Sequence, residues 1–368
     1  MVDHKGFKET SIINRYITDD MLHGCFAKLP LASTSVIGES VQKVPIRAFT
    51  LGNGTHRILM WSQMHGNEST TTKAVWDMTN FLRSDEVLAK TILDKCTLMV
   101  IPILNPDGAK AYTRVNANEV DLNRDAKQCT QPESVALRKL FENFKPDYCF
   151  NLHGQRTLFS AGQVEKPATV SFLSPSSNAA RDITPTRIKA MKLIAAMNAM
   201  LQEKIPGQVG RYDDGFNDNC VGDTFQMLGV PTVLFEAGHY HNDYERERTR
   251  EFIFLALIEV LKTIAADSVD RFTTGDYFNI PANGKLFYDI LIKDPHLANP
   301  KIGEGLTIGI RFKELLENNL IRFKPEIIDI KKLDGFFGHR TIECADSKDF
   351  DALKSNKELY DLILQAEE

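Results

Sequence analysis

The alternation of apolar and polar segments is the clearest structural signal in this chain. From about residue 44 to 265, short apolar runs alternate with longer runs in which apolar residues recur every three or four positions. The short runs are typical of buried strands, and the longer pattern is typical of amphipathic helices. The predicted strands are 45–51, 57–62, 97–104, 147–152, 168–173 and 232–236. The predicted helices are 69–82, 133–144, 186–204, 224–228 and 244–265.

Strands and helices that alternate in this way predict an α/β fold, in which one central sheet carries helices on both faces. Beyond about residue 275 the pattern becomes β-rich, with predicted strands at 285–292, 305–312 and 326–333 and a closing polar helix at 349–366. We therefore expect three parts. An N-terminal segment, 1–44, packs on the α/β domain, and the α/β domain itself covers 45–270. A small, mainly β accessory domain with a C-terminal helix covers 275–368.

Composition limits the classes of function. The 368 residues are 43% hydrophobic and 25% charged, as in ordinary globular proteins, and the net charge of -5 argues against nucleic acid as the main partner. The chain contains no run of about 18 apolar residues, so no membrane span is predicted. The polar N-terminus has no signal-peptide pattern. The six cysteines form no C-x-x-C pair and are expected to be reduced thiols. A cytoplasmic location is the resulting expectation.

A candidate metal site begins at His65-Gly66-Asn67-Glu68, between a predicted strand and a predicted helix. A histidine and a carboxylate three residues apart at such a turn can point at one metal ion. His153 ends another predicted strand, and ligands of open α/β sheets gather at the carboxyl ends of strands. Catalytic zinc needs three protein ligands and one open position. On these residues alone, zinc binding and ordinary hydrogen-bonded polar roles stay equally open.

Further motifs point to a known family. The turn Asn105-Pro106-Asp107-Gly108 follows a predicted strand, Arg114 and the stretch Asp121-Leu122-Asn123-Arg124 come next, and Val233 to Gly238 places Glu236 on a later strand. Together with the histidine motifs, in this order over about residues 45–265, these features resemble the zinc metallocarboxypeptidase family, carboxypeptidase A-like and of the bacterial or cytosolic type. The resemblance implies a mixed central sheet with helices on both faces.

The resemblance also implies a metal centre with one zinc ion per chain. His65, Glu68 and His153 match the zinc ligands of that family. Asp121 matches the carboxylate that accepts a hydrogen bond from the first histidine, and such a partner fixes the orientation of the ligand.

Five further residues match family positions that act on the substrate. Arg114 matches the arginine that polarises the scissile carbonyl, and Glu236 matches the general base. Asn123 and Arg124 match the pair that holds the terminal carboxylate, a task that suits a planar guanidinium. Tyr212 matches the family's mobile tyrosine more loosely, and an ordinary loop tyrosine is an equal alternative.

Some positions depart from the family pattern or extend it. Asp125 follows Arg124 where many members have asparagine, and its charge would disfavour an acidic substrate end unless it points away. Asp218 and Asp223 would favour a basic substrate if they reached the cleft, but solvated loop carboxylates would look the same. His239 and His241 follow Glu236 closely, and we expect both to face water.

The function expected from these residues is zinc-dependent removal of a C-terminal residue from a peptide. The alternative is deacylation of small N-acyl amino acids, because succinylglutamate desuccinylase and aspartoacylase also carry H-x-x-E, a later histidine and a β-rich C-terminal domain. The intact Asp121-Leu122-Asn123-Arg124 favours the peptidase. A non-catalytic binding protein of the same fold would require a broken site, and none of the matched positions is replaced.

Overall fold

A computed structural model describes residues 2–367 of the protein. The strands β1 to β14, in chain order, are Thr34–Glu39, Pro45–Leu51, His56–Ser62, Cys96–Ile101, Tyr148–Gly154, Ser160–Ala161, Val170–Leu173, Val209–Arg211, Thr232–Ala237, Asn283–Gly284, Phe287–Lys293, Thr307–Glu317, Leu320–Lys331 and Phe337–Glu343. The α-helices α1 to α11 are Asp19–Ala27, Thr70–Leu82, Val87–Lys95, Pro106–Ala111, Pro132–Phe144, Pro185–Gln202, Val221–Met227, Glu247–Ala265, Thr274–Phe278, Ser347–Ser355 and Lys357–Leu364.

The main sheet has eight strands in the order β1-β2-β4-β3-β5-β9-β7-β8. Its centre is parallel, since β3 pairs with both β4 and β5, and β5 pairs with β9. The strands β2 and β7 run antiparallel to their neighbours β4 and β9. The sheet is therefore mixed, which confirms the predicted fold class.

Helices cover both faces of this sheet because its central strands are apolar on both sides. In β3, Ile58 and Met60 belong to the core beneath α2, α6 and α8. Leu59 and Trp61 belong to the second core, beneath α5 and α7. Successive side chains of a strand point to opposite faces, so a continuous apolar run is what a sheet between two helical layers requires.

The second sheet comes from the C-terminal part and has the order β13-β12-β11-β14. The helices α10 and α11 pack on one of its faces. It contacts the loop after β5, where the Phe287 amide donates to the Leu158 carbonyl at 3.1 Å and His339 Nε2 donates to the Thr157 carbonyl at 2.8 Å. The domain bounds set out above stay a prediction. Within residues 2–367, no helix has the length and apolarity to cross a bilayer.

Two local predictions are wrong. Asn105-Pro106-Asp107-Gly108 is not a free turn but the start of α4, where the Asn105 side chain accepts from the Gly108 amide at 2.9 Å as an N-cap. Proline in the first turn suits this role, because its missing N–H would have no partner in the helix. The predicted closing helix 349–366 is instead two helices, since Asn356 ends α10 and caps α11.

A buried ion pair attaches the N-terminal segment to the α/β part. Asp77 on α2 and Arg250 on α8 are fully buried and share two hydrogen bonds of 2.6 Å. Asp77 also accepts from His4 Nε2 and from the Glu9 amide, each at 2.7 Å. The segment that precedes the first helix is therefore held by the same carboxylate that neutralises Arg250.

We expect Asp77→Asn to lower the free energy of unfolding by about 3–5 kcal/mol, because Arg250 would stay buried without its paired carboxylate, and only the contact of 3.2 Å with Glu247 would remain. Urea denaturation followed by circular dichroism measures this change. Asp270→Asn is the control, since Asp270 is almost fully exposed and pairs with Lys192 at the surface, and it should leave the urea midpoint unchanged. Equal effects of the two substitutions would contradict this account of the ion pair.

Candidate active site

The structure brings His65, Glu68 and His153 together at the carboxyl ends of β3 and β5. His65 Nδ1 lies 3.0 Å from Glu68 Oε1, and His153 Nδ1 lies 2.9 Å from Glu68 Oε2. The two Nδ1 atoms are 3.0 Å apart, and the candidate ligand atoms of the three side chains all lie within 4.8 Å of one another. Their convergence follows from the topology, because β3 and β5 are neighbouring parallel strands.

The donor atoms of this group suit a zinc ion. When His65 donates from Nε2 to Asp121, its Nδ1 keeps a lone pair that faces Glu68 and the other ring nitrogen. Two nitrogens and a carboxylate around one point are mutually repulsive unless a cation or a proton lies between them. Burial would raise the pKa of Glu68, but the two histidines hold it below its ordinary value. Two histidines with one carboxylate are a set of ligands that catalytic zinc uses.

Asp121 holds the ring of His65 at Nε2, the nitrogen that does not face Glu68. Its Oδ1 accepts from His65 Nε2 at 2.9 Å and from the Asn123 amide at 2.9 Å. Its Oδ2 accepts from Arg114 Nε at 3.1 Å. A carboxylate held at both oxygens can fix the ring orientation of a metal ligand, as the resemblance implies.

Glu236 lies beside His153 because β9 pairs with β5, and these two residues are register partners. The side chain is 8% exposed, and its Oε2 has no hydrogen-bond partner within residues 2–367. Burial, and then the charge of Glu68, raise the pKa of Glu236 well above the ordinary value. A buried carboxylate without a partner at a cleft floor is typical of a catalytic group.

Arg114 places a cation next to the candidate metal ligands. Its Nη1 lies 3.4 Å from Glu68 Oε1 and its Nη2 lies 3.1 Å from Asp121 Oδ2, while the side chain is half exposed. The guanidinium is therefore oriented by two carboxylates and remains accessible from the cleft.

Arg124 and Asn123 are positioned by the segment that leads into α7. Arg124 Nη1 donates to the Asn123 carbonyl at 2.8 Å and to Cys220 Sγ at 3.0 Å. Asn123 Oδ1 accepts from the Val221 amide at 3.1 Å. Neither contact neutralises the guanidinium, which lines the cleft and is available for an anionic group of a substrate.

Asp125 points away from this arginine. Its carboxylate accepts from the Thr130 amide, the Thr130 hydroxyl and the Gln131 amide at 2.8–2.9 Å, and the residue is 3% exposed. These three hydrogen bonds stabilise the charge of Asp125 within the turn before α5. The presence of Asp125 in place of asparagine therefore leaves Arg124 available to bind a carboxylate.

The two loop aspartates have different surroundings. Asp218 forms an exposed ion pair with Lys127. Asp223 is buried and accepts from the Ser176 amide at 3.0 Å and from the Asn217 amide at 2.7 Å. Burial raises the pKa of Asp223 to about 6. Asp223 lines the cleft, whereas Asp218 does not.

Tyr212 and the two late histidines complete the predicted set. Tyr212 follows β8, packs against Phe159 with ring centres 5.2 Å apart, and lines the cleft. His241 is exposed, as expected. The expectation for His239 is wrong, because it is 2% exposed and packs 4.2 Å from the ring of His339 on β14. The C-terminal sheet covers it, and the sequence gives no sign of that contact.

The cleft has a volume of about 1020 Å³, and all residues that match metal-binding or substrate-binding positions of the family line it. Asp121 lies behind His65 and does not line it. Arg246 could not be recognised as a site residue from the sequence. Its buried guanidinium donates to the carbonyls of Gln155, Ala237 and Gly238 and so fixes the chain after β5 and β9. The part of the wall that comes from the N-terminal segment, the loop after β9 and the C-terminal sheet was not predicted either. These lining residues include Arg15, Tyr244, Lys285, Asp289, Arg311, Phe312, Lys313, Glu314, Phe323, Glu326 and Ile328.

Comparison with known proteins identifies the family of this chain. The sequence profile of the zinc carboxypeptidase (M14 peptidase) family matches residues 27–219, more than half of the 368 residues. The chain therefore belongs to the zinc carboxypeptidase family. Glu236 lies outside the matched range, so its place in the site rests on the strand pairing described above.

Individual relatives match over shorter stretches. The chain is 28% identical over 115 residues to probable carboxypeptidase 2 of Arthroderma benhamiae, which is 31% of this chain and 21% of that protein. The match thus spans about a fifth of the length of that relative.

Solved structures share the fold. A metallo-carboxypeptidase from Burkholderia cenocepacia superposes with a TM-score of 0.53 and 21% identity over 67% of each chain. Thrombin activatable fibrinolysis inhibitor superposes with a TM-score of 0.55 and 14% identity, over 72% of this chain and 77% of that one.

Proposed function

We propose that this protein is a zinc-dependent metallocarboxypeptidase that removes a C-terminal residue from peptides. The observation that carries the proposal is the convergence of His65, Glu68 and His153 beside Glu236, in a cleft that also holds the guanidinium of Arg124. Family membership supports the same conclusion.

His65, Glu68 and His153 would hold one zinc ion per chain and leave a position open toward the cleft. When bound, zinc supplies Lewis acidity and makes a water molecule acidic enough to ionise near neutral pH. Asp121 keeps His65 in the orientation that presents Nδ1 to this group.

Glu236 acts as the general base and acid. It takes a proton from the attacking water and gives it to the leaving amine. Its Oε2 is buried without a hydrogen-bond partner among residues 2–367, in a side chain that lines the cleft, and burial raises its pKa above that of an ordinary glutamate, which favours a group that must both take and give a proton.

The two arginines bind groups on either side of the scissile bond. Arg114 donates to the carbonyl oxygen as negative charge develops on it, and a preorganised donor of this kind stabilises the transition state. Arg124, together with Asn123, binds the terminal carboxylate through parallel hydrogen bonds. Tyr212 lies at the cleft wall, where its hydroxyl can reach a bound substrate.

Deacylation of small N-acyl amino acids is the second candidate function. The observation that favours it is the contribution of the C-terminal sheet to the cleft wall, which matches the β-rich domain implied by the resemblance to the deacylases. Both candidates use the same catalytic residues, so the substrate distinguishes them. Hydrolysis of unmodified dipeptides and tripeptides supports the peptidase, and hydrolysis of N-acyl amino acids alone supports the deacylase.

We expect Arg124→Ala to lower kcat/KM for substrates with a free terminal carboxylate by on the order of 10- to 100-fold, the range for loss of a charged hydrogen bond. Matched substrates with a C-terminal amide should be hydrolysed equally by the variant and the natural protein. Steady-state kinetics on the paired substrates measures the preference.

Arg248→Ala is the control for this measurement. Arg248 is half exposed and pairs with Glu251 on α8, so its loss should leave both rates unchanged. An Arg124→Ala variant that keeps the full preference for the free carboxylate would exclude the role assigned to Arg124.

A further inference from the structure

The hairpin formed by β12 and β13 extends past the rest of its sheet. The two strands pair along their full length, from Thr307 opposite Lys331 to Glu317 opposite Leu320. Only residues 307–310 of β12 also pair with β11. The remainder, residues 311–326, is a two-stranded projection that we call the hairpin arm.

A carboxylate fixes the hairpin arm to the α/β part of the protein. Glu314 accepts two hydrogen bonds from Arg15 Nη2, at 2.9 and 3.0 Å, and one from the Tyr112 hydroxyl at 2.5 Å. Arg15 also donates to the Tyr244 carbonyl at 3.1 Å. Arg15 is buried. Its hydrogen bonds to Glu314 and Tyr244 connect the N-terminal segment, the loop after β9 and the arm.

Aromatic packing fixes the hairpin arm at further points. The ring of Tyr244 lies 5.2 Å from Phe312 and 5.3 Å from Phe323. Ile321 packs with the buried side chains of Tyr16 and Tyr112. Because rings and charges from separate segments hold the arm together, it is a fixed part of the structure and not a free loop.

The hairpin arm forms a wall of the same cleft that contains the candidate catalytic residues. Its lining side chains are Arg311, Phe312, Lys313, Glu314, Phe323 and Glu326. Arg124, by contrast, is held by the segment before α7 and makes its contacts there. A volume of about 1020 Å³ is at the upper end of the range for sites that take small ligands.

We propose that the hairpin arm limits how far a substrate can extend on the acyl side of the scissile bond, so that the enzyme acts on short peptides and not on the ends of long chains. The inference rests on the proposed function, which places the terminal carboxylate at Arg124 and the scissile carbonyl beside Glu236. Glu314 of the arm accepts from Tyr112, two residues before Arg114, so the part of the substrate that precedes the scissile carbonyl would extend toward the wall made by Phe312 and Phe323. A long chain would meet this wall as a steric block.

The test compares peptides that share one C-terminal residue and range from about two to about twelve residues. The longest is roughly 40 Å when extended.

In an arm-shortened variant, residues 314–323 are replaced by Asn-Gly, which joins Lys313 to Lys324. These lysines are register partners, and a two-residue turn of this type suits such a hairpin. Circular dichroism and zinc content establish that the variant is folded.

For the natural protein, we expect kcat/KM to fall by on the order of tenfold or more from the shortest to the longest peptide, as for a substrate excluded by a clash. The arm-shortened variant should lose this dependence, so that its kcat/KM for the longest peptide approaches its own kcat/KM for the shortest. Phe323→Ala, which leaves the contacts of Glu314 in place, should reduce the dependence in the same direction. Arg322→Ala is the control, because Arg322 pairs with Glu358 outside the cleft, and its length profile should match the natural one.

Equal rates for all lengths in the natural protein would overturn the proposal, as would a folded arm-shortened variant with an unchanged length profile. If no peptide is hydrolysed, the proposed function fails. Isothermal titration calorimetry with the same peptides then tests separately whether the arm limits the length of a bound peptide. Weaker binding of the long peptides, restored by shortening the arm, supports the proposal. Equal binding of short and long peptides overturns it.

Discussion

Glu236→Gln should lower kcat by on the order of 10²- to 10⁴-fold, the range for loss of a general acid–base, and should leave one zinc ion bound per chain. Glutamine keeps the shape of the side chain but cannot take a proton from water. Glu236 is not one of the three residues that converge as metal ligands, so metal binding should persist. Steady-state kinetics and metal analysis of the same preparation measure the two effects separately.

Glu133→Gln is a matched control for this substitution. Glu133 is also a buried glutamate whose pKa is raised by burial, but it accepts from the Val41 amide and from Asn116, away from the cleft. We expect turnover close to that of the natural protein. A Glu236→Gln variant with full turnover would show that another group transfers the proton.

His153→Ala should remove the metal from the protein. Zinc content should fall from one ion per chain to less than about a tenth of that, because two protein ligands hold zinc much more weakly than the three of a catalytic site. Activity should fall with the metal. A second readout is thermal stability, since zinc at about a thousand times its dissociation constant stabilises the folded state by about 4 kcal/mol, and this gain should vanish in the variant.

His56→Ala is the control for the loss of a histidine. His56 begins β3 and pairs with the exposed Asp267 at 3.1 Å, far along the strand from His65. Its replacement should leave zinc content and the zinc-induced stabilisation unchanged. Full retention of zinc by His153→Ala would mean that the ion binds at another place.

The buried centre of the main sheet could be predicted from the sequence because its strands are apolar on both faces. Ile58 and Leu59 are adjacent in the chain and enter different cores, so the whole strand forms one apolar run. The predicted strand 45–51 coincides with β2, and the prediction for β9 differs from its bounds by one residue.

Edge strands could not be predicted in this way. In β1, none of the six residues is buried, since the strand lies at the end of the sheet and carries no apolar run. β8 has three residues and is too short to show a period. At such positions, pairing with a neighbour forms the strand, and local sequence gives little indication of it.

The candidate metal ligands could be predicted because chain direction and strand order bring them together. His65 and Glu68 share one turn, and His153 ends the adjacent parallel strand. The cleft wall could not be predicted, because the contact between Arg15 and Glu314 joins residues 299 positions apart. No periodicity or spacing in the chain indicates such a contact, and the same is true of His239 beneath β14.

The position of the ion itself is the most direct test of the account. Crystals grown with zinc and measured at the zinc absorption edge should show one anomalous peak per chain, about 2.0–2.2 Å from Nδ1 of His65, Nδ1 of His153 and a carboxylate oxygen of Glu68. A zinc-saturated crystal without a peak there, with the two histidines still hydrogen-bonded to Glu68, would contradict it.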